Sequence, residues 1–404
     1  MADKPAVLCI AGALFGRPFL IQAKQLGWRV YLMTVPKLLQ EAWPRDVLDD
    51  IFAVPDLFDR KVVRRVVCYL GRTIPFQRII GLGEFDIEVA ADLREYLRIP
   101  GMGETTARYF RDKLAMRMKA EEDGIPVPKF SRIFYYPDLE EFLDQTTPPW
   151  LLKARFSSTS YQILKLESQE EVWRKLSELG DHQNDYLIEQ FVESDVYHVD
   201  SLIYNGEVVF AVASQYGSPL LELTASGGVF VTRMLERGSE EEQQLQELNR
   251  KVIESFGMKR GVTHIEFLRS RSDGQFYLLE AAARVAGARI PDVIWHATGI
   301  CLWHEWAKME LWDAEGKPYE LPEWTPHYGA GIFTLARQEW PDLSAYNDPE
   351  VAWVQKKKYY AGLVLTSPDP QRLNELIADY VPRFQKDFSA AAQYKFRPDV
   401  AAGL

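Results

Sequence analysis

A chain of 404 residues, 47% hydrophobic and 26% charged, describes a soluble globular protein with apolar surface for more than one core. A formal charge of −11 argues against a general role on nucleic acid, because gripping phosphates requires a positive surface. Cys9, Cys68 and Cys301 show no paired spacing, which speaks against a disulfide framework or a zinc site and fits the reducing cytoplasm, and the apolar run from Ala6 to Phe15 is too short to span a membrane.

From Ala6 to about Leu97, short apolar runs alternate with amphipathic stretches. Ala6 to Ala11, Arg29 to Met33, Ile51 to Val54 and Arg78 to Gly81 read as strands, and Pro18 to Leu26, Arg60 to Leu70 and Phe85 to Leu97 as helices, which predicts a Rossmann-like βαβ layer with a parallel sheet. A dinucleotide fingerprint would need glycines at 12, 14 and 17, where the chain has Gly12, Leu14 and Arg17, so a nicotinamide-dependent dehydrogenase is disfavoured. One long helix is expected from Thr105 to Glu122, stopped at Gly124 with Pro126 and Pro128 behind it. Strands follow at Trp150 to Ala154 and Tyr161 to Leu166, joined by a hydroxyl-rich loop, Ser157, Ser158, Thr159 and Ser160. Ser168 with Glu171 and Ser239 with Glu242 each match a capping box that opens a helix. Tyr186 to Phe191, Tyr197 to Tyr204 and Glu207 to Ser214 read as strands, the last two joined at Asn205-Gly206. The tail carries an apolar stretch from Tyr328 to Leu335, a strand from Ala361 to Thr366 and a helix from Pro370 to Tyr380. Trp295, Trp303, Trp306 and Trp312, close together in sequence, are expected in a core or an interface.

Glu266 and Glu280 are the most informative pair. They flank a hairpin whose turn is marked by Ser272-Asp273-Gly274, and a turn centred on Asp273 sets Glu266 opposite Glu280 and His264 opposite Ala282. Like charges directly opposite destabilise a sheet, so a sequence that keeps them there points to a cation between them, and oxygen ligands favour magnesium, with manganese as the alternative. If the turn lies one residue away, the two side chains point to opposite faces and are unrelated surface charges.

In order along the chain, these landmarks resemble the ATP-grasp superfamily. Arg111-Asp112-Lys113 followed by Gly124, Pro126 and Pro128, then Leu152-Lys153, the segment Tyr186 to Val192, Glu266, and Glu280 through Arg284 to Gly287 follow the family's sequence of motifs. The resemblance implies an α/β and α+β fold. Residues 1–103 would form a Rossmann-like domain, 104–195 and 196–320 the small and central lobes of a two-lobed ATP-grasp domain, and 321–404 a small C-terminal subdomain. ATP would lie between the lobes with Lys113 and Lys153 at its phosphates, the loop from Ser157 to Ser160 beside them, and Glu266 and Glu280 as metal ligands. The backbone of Gln190 and Val192 would meet adenine, with Glu189 beside them and Asp195 as the candidate ribose contact. Arg284 would hold a carboxylate or an oxyanion, and His264, Gly287 and Arg289 would face the substrates. Plain alternatives stand for several of these: a solvated helix lysine for Lys113, a strand-edge lysine for Lys153, a satisfied structural histidine for His264 and helix-end solvation for Arg289.

Three departures from the family pattern stand out. The phosphate loop has no glycine, Ala282 replaces a common asparagine metal ligand, and Val196 stands where an acidic ribose contact is usual. His264, Glu266, Arg284 and Gly287 look most like the branch that joins carboxylates to amines, including L-amino-acid and dipeptide ligases. That implies small-molecule carboxylate and amine substrates and leaves a homodimer open. A biotin-carboxylase-like enzyme and a non-catalytic ATP-binding module are the other readings.

Overall fold

The computed structural model describes residues 4–157, 163–218 and 228–390. Three sheets follow one another along the chain. The first is parallel and comprises β1 (Ala6–Ile10), β2 (Arg29–Thr34), β3 (Asp50–Ala53) and β4 (Phe76–Gly81) in the order β3-β2-β1-β4. Helices at Arg17–Gln25, Arg60–Leu70 and Asp86–Leu97 connect or follow these strands, as the alternation predicts. Every residue of central β1 is buried, because helices cover both faces of a parallel sheet. The basic residues of the second helix are not all free: Arg60 and Arg64 pair with buried Asp92.

The second sheet is antiparallel, with β5 (Phe130–Arg132), β6 (Trp150–Ala154), β7 (Ile163–Leu166) and β8 (Tyr186–Gln190) in the order β5-β8-β6-β7. Its helix Gln169–Leu179 starts where the Ser168 side chain accepts from the Glu171 N–H, and helix Glu240–Phe256 starts in the same way at Ser239 and Glu242. Both capping boxes are therefore real helix starts.

The third sheet is also antiparallel and has eight strands: β9 (Ser194–Tyr204), β10 (Glu207–Tyr216), β11 (Phe230–Met234), β12 (Arg260–Ser270), β13 (Phe276–Ala282), β14 (Tyr328–Leu335), β15 (Val351–Val354) and β16 (Tyr360–Ser367). Their order is β13-β12-β9-β10-β11-β14-β16-β15, so the tail strands extend the sheet that carries the glutamate hairpin. Asn205 and Gly206 both have positive φ, as the two-residue turn between β9 and β10 requires. The helix of the tail runs on to Asp387. Among the described residues no helix is long and apolar enough to cross a membrane.

The single helix expected from Thr105 to Glu122 is in fact two, Glu104–Tyr109 and Lys113–Glu122. Asp112 breaks it. Its carboxylate accepts from the Leu114 N–H at 3.1 Å as an N-cap and takes the Arg155 guanidinium at 2.9 and 2.5 Å. An aspartate that can bond a backbone donor and a half-buried arginine at once is worth more as a cap than as a helix-interior residue. The break turns Lys113 into the first residue of the second helix, where it is buried.

Candidate functional site

In the hairpin of β12 and β13, Glu266 lies opposite Glu280 and His264 opposite Ala282. Nearer the turn the ladder is displaced by one residue, with Phe267 opposite Leu278 and Arg269 opposite Phe276. Leu279 is the extra residue. This bulge restores the register that brings the two carboxylates to one face, and a ladder continued without it would put Glu280 opposite Ile265, pointing away. The Leu279 carbonyl accepts from the Nη2 of fully buried Arg117 at 2.7 Å.

The two glutamates keep oxygen atoms in hand. Glu266 Oε1 accepts from the Tyr216 hydroxyl at 2.8 Å and lies 3.4 Å from His264 Nε2, and Glu280 Oε1 accepts from Lys113 Nζ at 2.9 Å. Neither Oε2 atom has a partner among the described residues. Two facing carboxylates with one uncommitted oxygen each suit a hard divalent cation. Lys113 Nζ also donates to the Ser157 carbonyl at 2.6 Å, and the Ser157 hydroxyl donates to the Ala154 carbonyl at 3.1 Å, so the start of the hydroxyl-rich loop is tied to the hairpin. Ser158, Thr159 and Ser160 lie outside the described residues.

Beneath Glu266 runs a buried polar chain. Asp200 Oδ1 lies 3.0 Å from His264 Nδ1 and its Oδ2 lies 2.7 Å from His198 Nδ1, while His198 Nε2 meets the Thr232 hydroxyl at 2.8 Å. Burial opposes a charge on His264, but Asp200 and Glu266 outweigh it and raise its pKa to about 9, leaving an imidazolium beside Glu266. Burial alone would push the Glu266 carboxyl up, yet the hydrogen bond and charge of His264 and the Tyr216 hydroxyl hold it below the usual range. His264 thus uses Nδ1 on Asp200 and aims Nε2 at Glu266.

A second cluster joins β6, β8 and the helix of Lys113. Lys153 and Glu189 form an ion pair, and Arg117 Nε donates to Glu189 Oε2 at 3.1 Å, all three being buried. Lys153 lies in β6 between β7 and β8, an interior strand, so it is no edge lysine. Burial lowers its pKa, against the pull of Glu189. Gln190 ends β8, and the Val192 N–H two residues on has no partner among the described residues. Asp195 is half-exposed and pairs with Arg271 at 2.7 Å.

Arg284 meets Glu84, which sequence reasoning missed. Glu84 Oε2 accepts from Arg284 Nε at 2.9 Å and Nη2 at 2.6 Å, and its Oε1 accepts from Arg111 Nη1 at 2.7 Å. Arg111 in turn donates to the Phe156 carbonyl at 3.2 Å. Glu84 follows β4 in a Gly-Leu-Gly-Glu turn that packs tightly onto the next helix. A Cβ at Gly81 would come within 2.5 Å of the Asp86 carbonyl oxygen, and one at Gly83 within 2.7 Å of the Asp86 side chain. Asp86 accepts from the Gly12 and Gly83 N–H groups, both at 2.8 Å, binding the β1 and β4 loops together. Beyond Arg284, Ala288 and Arg289 are both left-handed, with φ of 48° and 63°, and a Cβ at Gly287 would meet nothing within 4 Å. Arg289 is exposed, lies 3.5 Å from Asp292 and stacks over Trp353.

Residues 156–292 match the ATP-grasp domain family. The chain carries an ATP-grasp domain. An L-arginine-specific L-amino acid ligase of Bacillus subtilis is 29% identical over 262 residues, which span 63% of this chain and 62% of that protein. Among solved structures, an L-amino acid ligase from Bacillus licheniformis superposes with a TM-score of 0.72 at 16% identity, over 96% of this chain and 98% of the other. An N5-carboxyaminoimidazole synthetase from Staphylococcus aureus complexed with ADP superposes with a TM-score of 0.69 at 15% identity, over 93% and 96%. At these identities the two structures establish a shared fold.

Within the ATP-grasp domain and its neighbours the fold therefore gathers Lys113, Ser157, Glu280, Glu266, His264, Arg284 and Glu84 into one region. Lys153, Glu189 and Arg117 form a second cluster joined to the hairpin through Leu279. Asp195 and Arg289 stand apart on partners of their own. Tyr216, Arg117 and Glu84 carried no local motif. The one signal for Glu84 was an acid between glycines immediately after a strand, a place where loops of α/β sheets gather ligands.

Proposed function

We propose that this chain is an ATP-dependent carboxylate–amine ligase acting on small molecules in the cytoplasm. The observation that carries the reading is the facing pair Glu266 and Glu280, each with an uncommitted oxygen, beside Lys113 and the Arg284–Glu84 pair. Glu266 and Glu280 would hold magnesium, or manganese, whose charge offsets that on the phosphoryl oxygens. Lys113 and Lys153 supply point charges for phosphates, and the N–H of Val192, without a partner among the described residues, suits the edge of adenine together with the carbonyl of Gln190.

A carboxylate resists attack by an amine until one oxygen becomes a leaving group. Transfer of the γ-phosphoryl to the substrate carboxylate gives an acyl phosphate and ADP; the amine then attacks the acyl carbon, phosphate departs, and the amine loses a proton. Arg284 is the candidate clamp for the substrate carboxylate or the oxyanion of the second step, and Glu84 holds its fork in place. His264, Gly287 and Arg289 complete the proposed substrate side, and Asp195 remains the candidate ribose contact.

Hydroxylamine tests the reaction class. With the right amino acid or other carboxylate present, a hydroxamate should form and ADP release should depend on that carboxylate. ADP release driven only by bicarbonate, with no hydroxamate in a broad carboxylate screen, would move the chain to the carboxylase branch. ATP binding without any substrate-dependent release would mark a non-catalytic module.

A further inference from the structure

A cavity of about 340 Å³ lies between the first sheet and the start of β12. Its walls include Arg94, Met102, Met258, Arg260 and Trp306. Gly81 and Ala283 also line it, one three residues before Glu84 and the other next to Arg284, whereas Gly261 is five residues from Glu266, about 17 Å along an extended strand. The cavity is thus separate from the facing carboxylates yet touches the backbone that positions the arginine clamp.

Its charges do not balance. Glu310 accepts from Arg260 Nε at 3.1 Å and lies 3.7 Å from Arg78 Nε, and Asp313 takes Arg78 and Arg260 at 2.6 Å each. Two carboxylates are therefore matched by two guanidinium groups, and among the described residues two lining cations are left over, Lys259, which is exposed to water, and Arg94, which is not. Arg94 is only 8% exposed, and among the described residues one bond alone is made to it, from Nη1 to the Ile79 carbonyl at 3.1 Å. Its buried Nε has no acceptor among the described residues. A guanidinium carries five N–H donors, and leaving the buried Nε–H unmet costs free energy unless a ligand supplies an acceptor. Gly101 keeps the place open, since a Cβ there would fall 2.6 Å from Arg94 Cδ.

We propose that this cavity is a second binding site, for a small monocarboxylate whose oxygens meet the Arg94 fork and whose short hydrocarbon body packs on Met102, Met258 and Trp306. The one buried positive charge left unmatched calls for one negative charge, a planar fork matches a carboxylate in two bonds, and the volume falls within the range of small-ligand pockets. Occupancy would act on turnover through Gly81 and Ala283, without chemistry at the cavity itself.

The probe is 2-methylpropanoate, titrated into the full chain by calorimetry with methyl-methionine NMR in parallel. The resonances of Met102 and Met258 should move, 2-methylpropanamide should not move them, and binding should weaken about tenfold or more in Arg94→Gln while persisting in Arg284→Lys. Unmoved Met102 and Met258 signals in the wild-type chain would overturn the proposal whatever the variants do. So would equal affinity in folded Arg94→Gln, loss of binding in Arg284→Lys alone, or binding of inorganic phosphate in place of the carboxylate. Because the hydroxamate assay reads a different site, failure here leaves the ligase reading standing, and the reverse also holds.

Discussion

Arg117 donates to the carbonyl of Leu279 at 2.7 Å, so a fully buried guanidinium clamps the bulge that turns Glu280 towards Glu266. The same arginine grips Glu189, the partner of Lys153, which makes it a mechanical link between the two halves of the site. Arg117→Met should therefore cut turnover while shifting the magnesium dependence to higher concentration, because the bulge loses its anchor and Glu280 can slip to the other face. Stability should fall by about 3–5 kcal/mol, the usual cost of breaking a buried ion pair from one side. A folded variant with unchanged magnesium dependence would separate Arg117 from the register of the hairpin.

Lys153→Ala should weaken ATP binding about tenfold, the loss of one charge-assisted contact. Arg117 still partners Glu189 in the variant, so the chain should stay folded at reduced stability. Calorimetry showing wild-type nucleotide affinity in the folded variant would remove Lys153 from the phosphate site.

Glu280→Gln should lower turnover by about two orders of magnitude or more while weakening nucleotide binding much less, since metal-held charge matters most in the transition state. The amide also gives up the ion pair with Lys113. Near-normal turnover at saturating magnesium would show that the facing carboxylates are not the metal site.

The buried His264–Asp200 pair should write itself into stability against pH. His264 titrates at about 9 in the folded chain against an ordinary 6.5, so its contribution is complete below 6.5 and lost as the pH rises through about 9. Asp200, which burial alone would push up, is held well below its ordinary 3.8 by both histidines, so its contribution is present above 3.8 and lost as the pH falls. The urea midpoint should decline between pH 6.5 and 9, and His264→Gln should flatten that decline while lowering the plateau. An equally steep alkaline limb in the variant would assign it to other groups.

Periodicity alone was enough for the parallel layer of β1 to β4, because alternation of buried strands and amphipathic helices is a local pattern. The two capping boxes and the Asn205-Gly206 turn were equally legible, since each depends on backbone donors or φ values within a few residues. The facing of Glu266 and Glu280 was expected from a turn centred on Asp273, whereas the pairs nearest the turn sit one residue off that register and the bulge at Leu279 produces the facing. That bulge was not legible: its anchor, Arg117, is 162 residues away in sequence. The break of the helix at Asp112 was hidden for the same reason, as the Arg155 that rewards it comes from the next sheet. Glu84 and Arg284 are 200 residues apart, and Arg94 is unmatched only because Arg78 and Arg260 take both nearby carboxylates. Local pattern determines which segments become strands and helices; which charges meet, and which one is left without a partner, is decided only when distant segments are packed at fixed distances in a medium where an unpaired charge is costly.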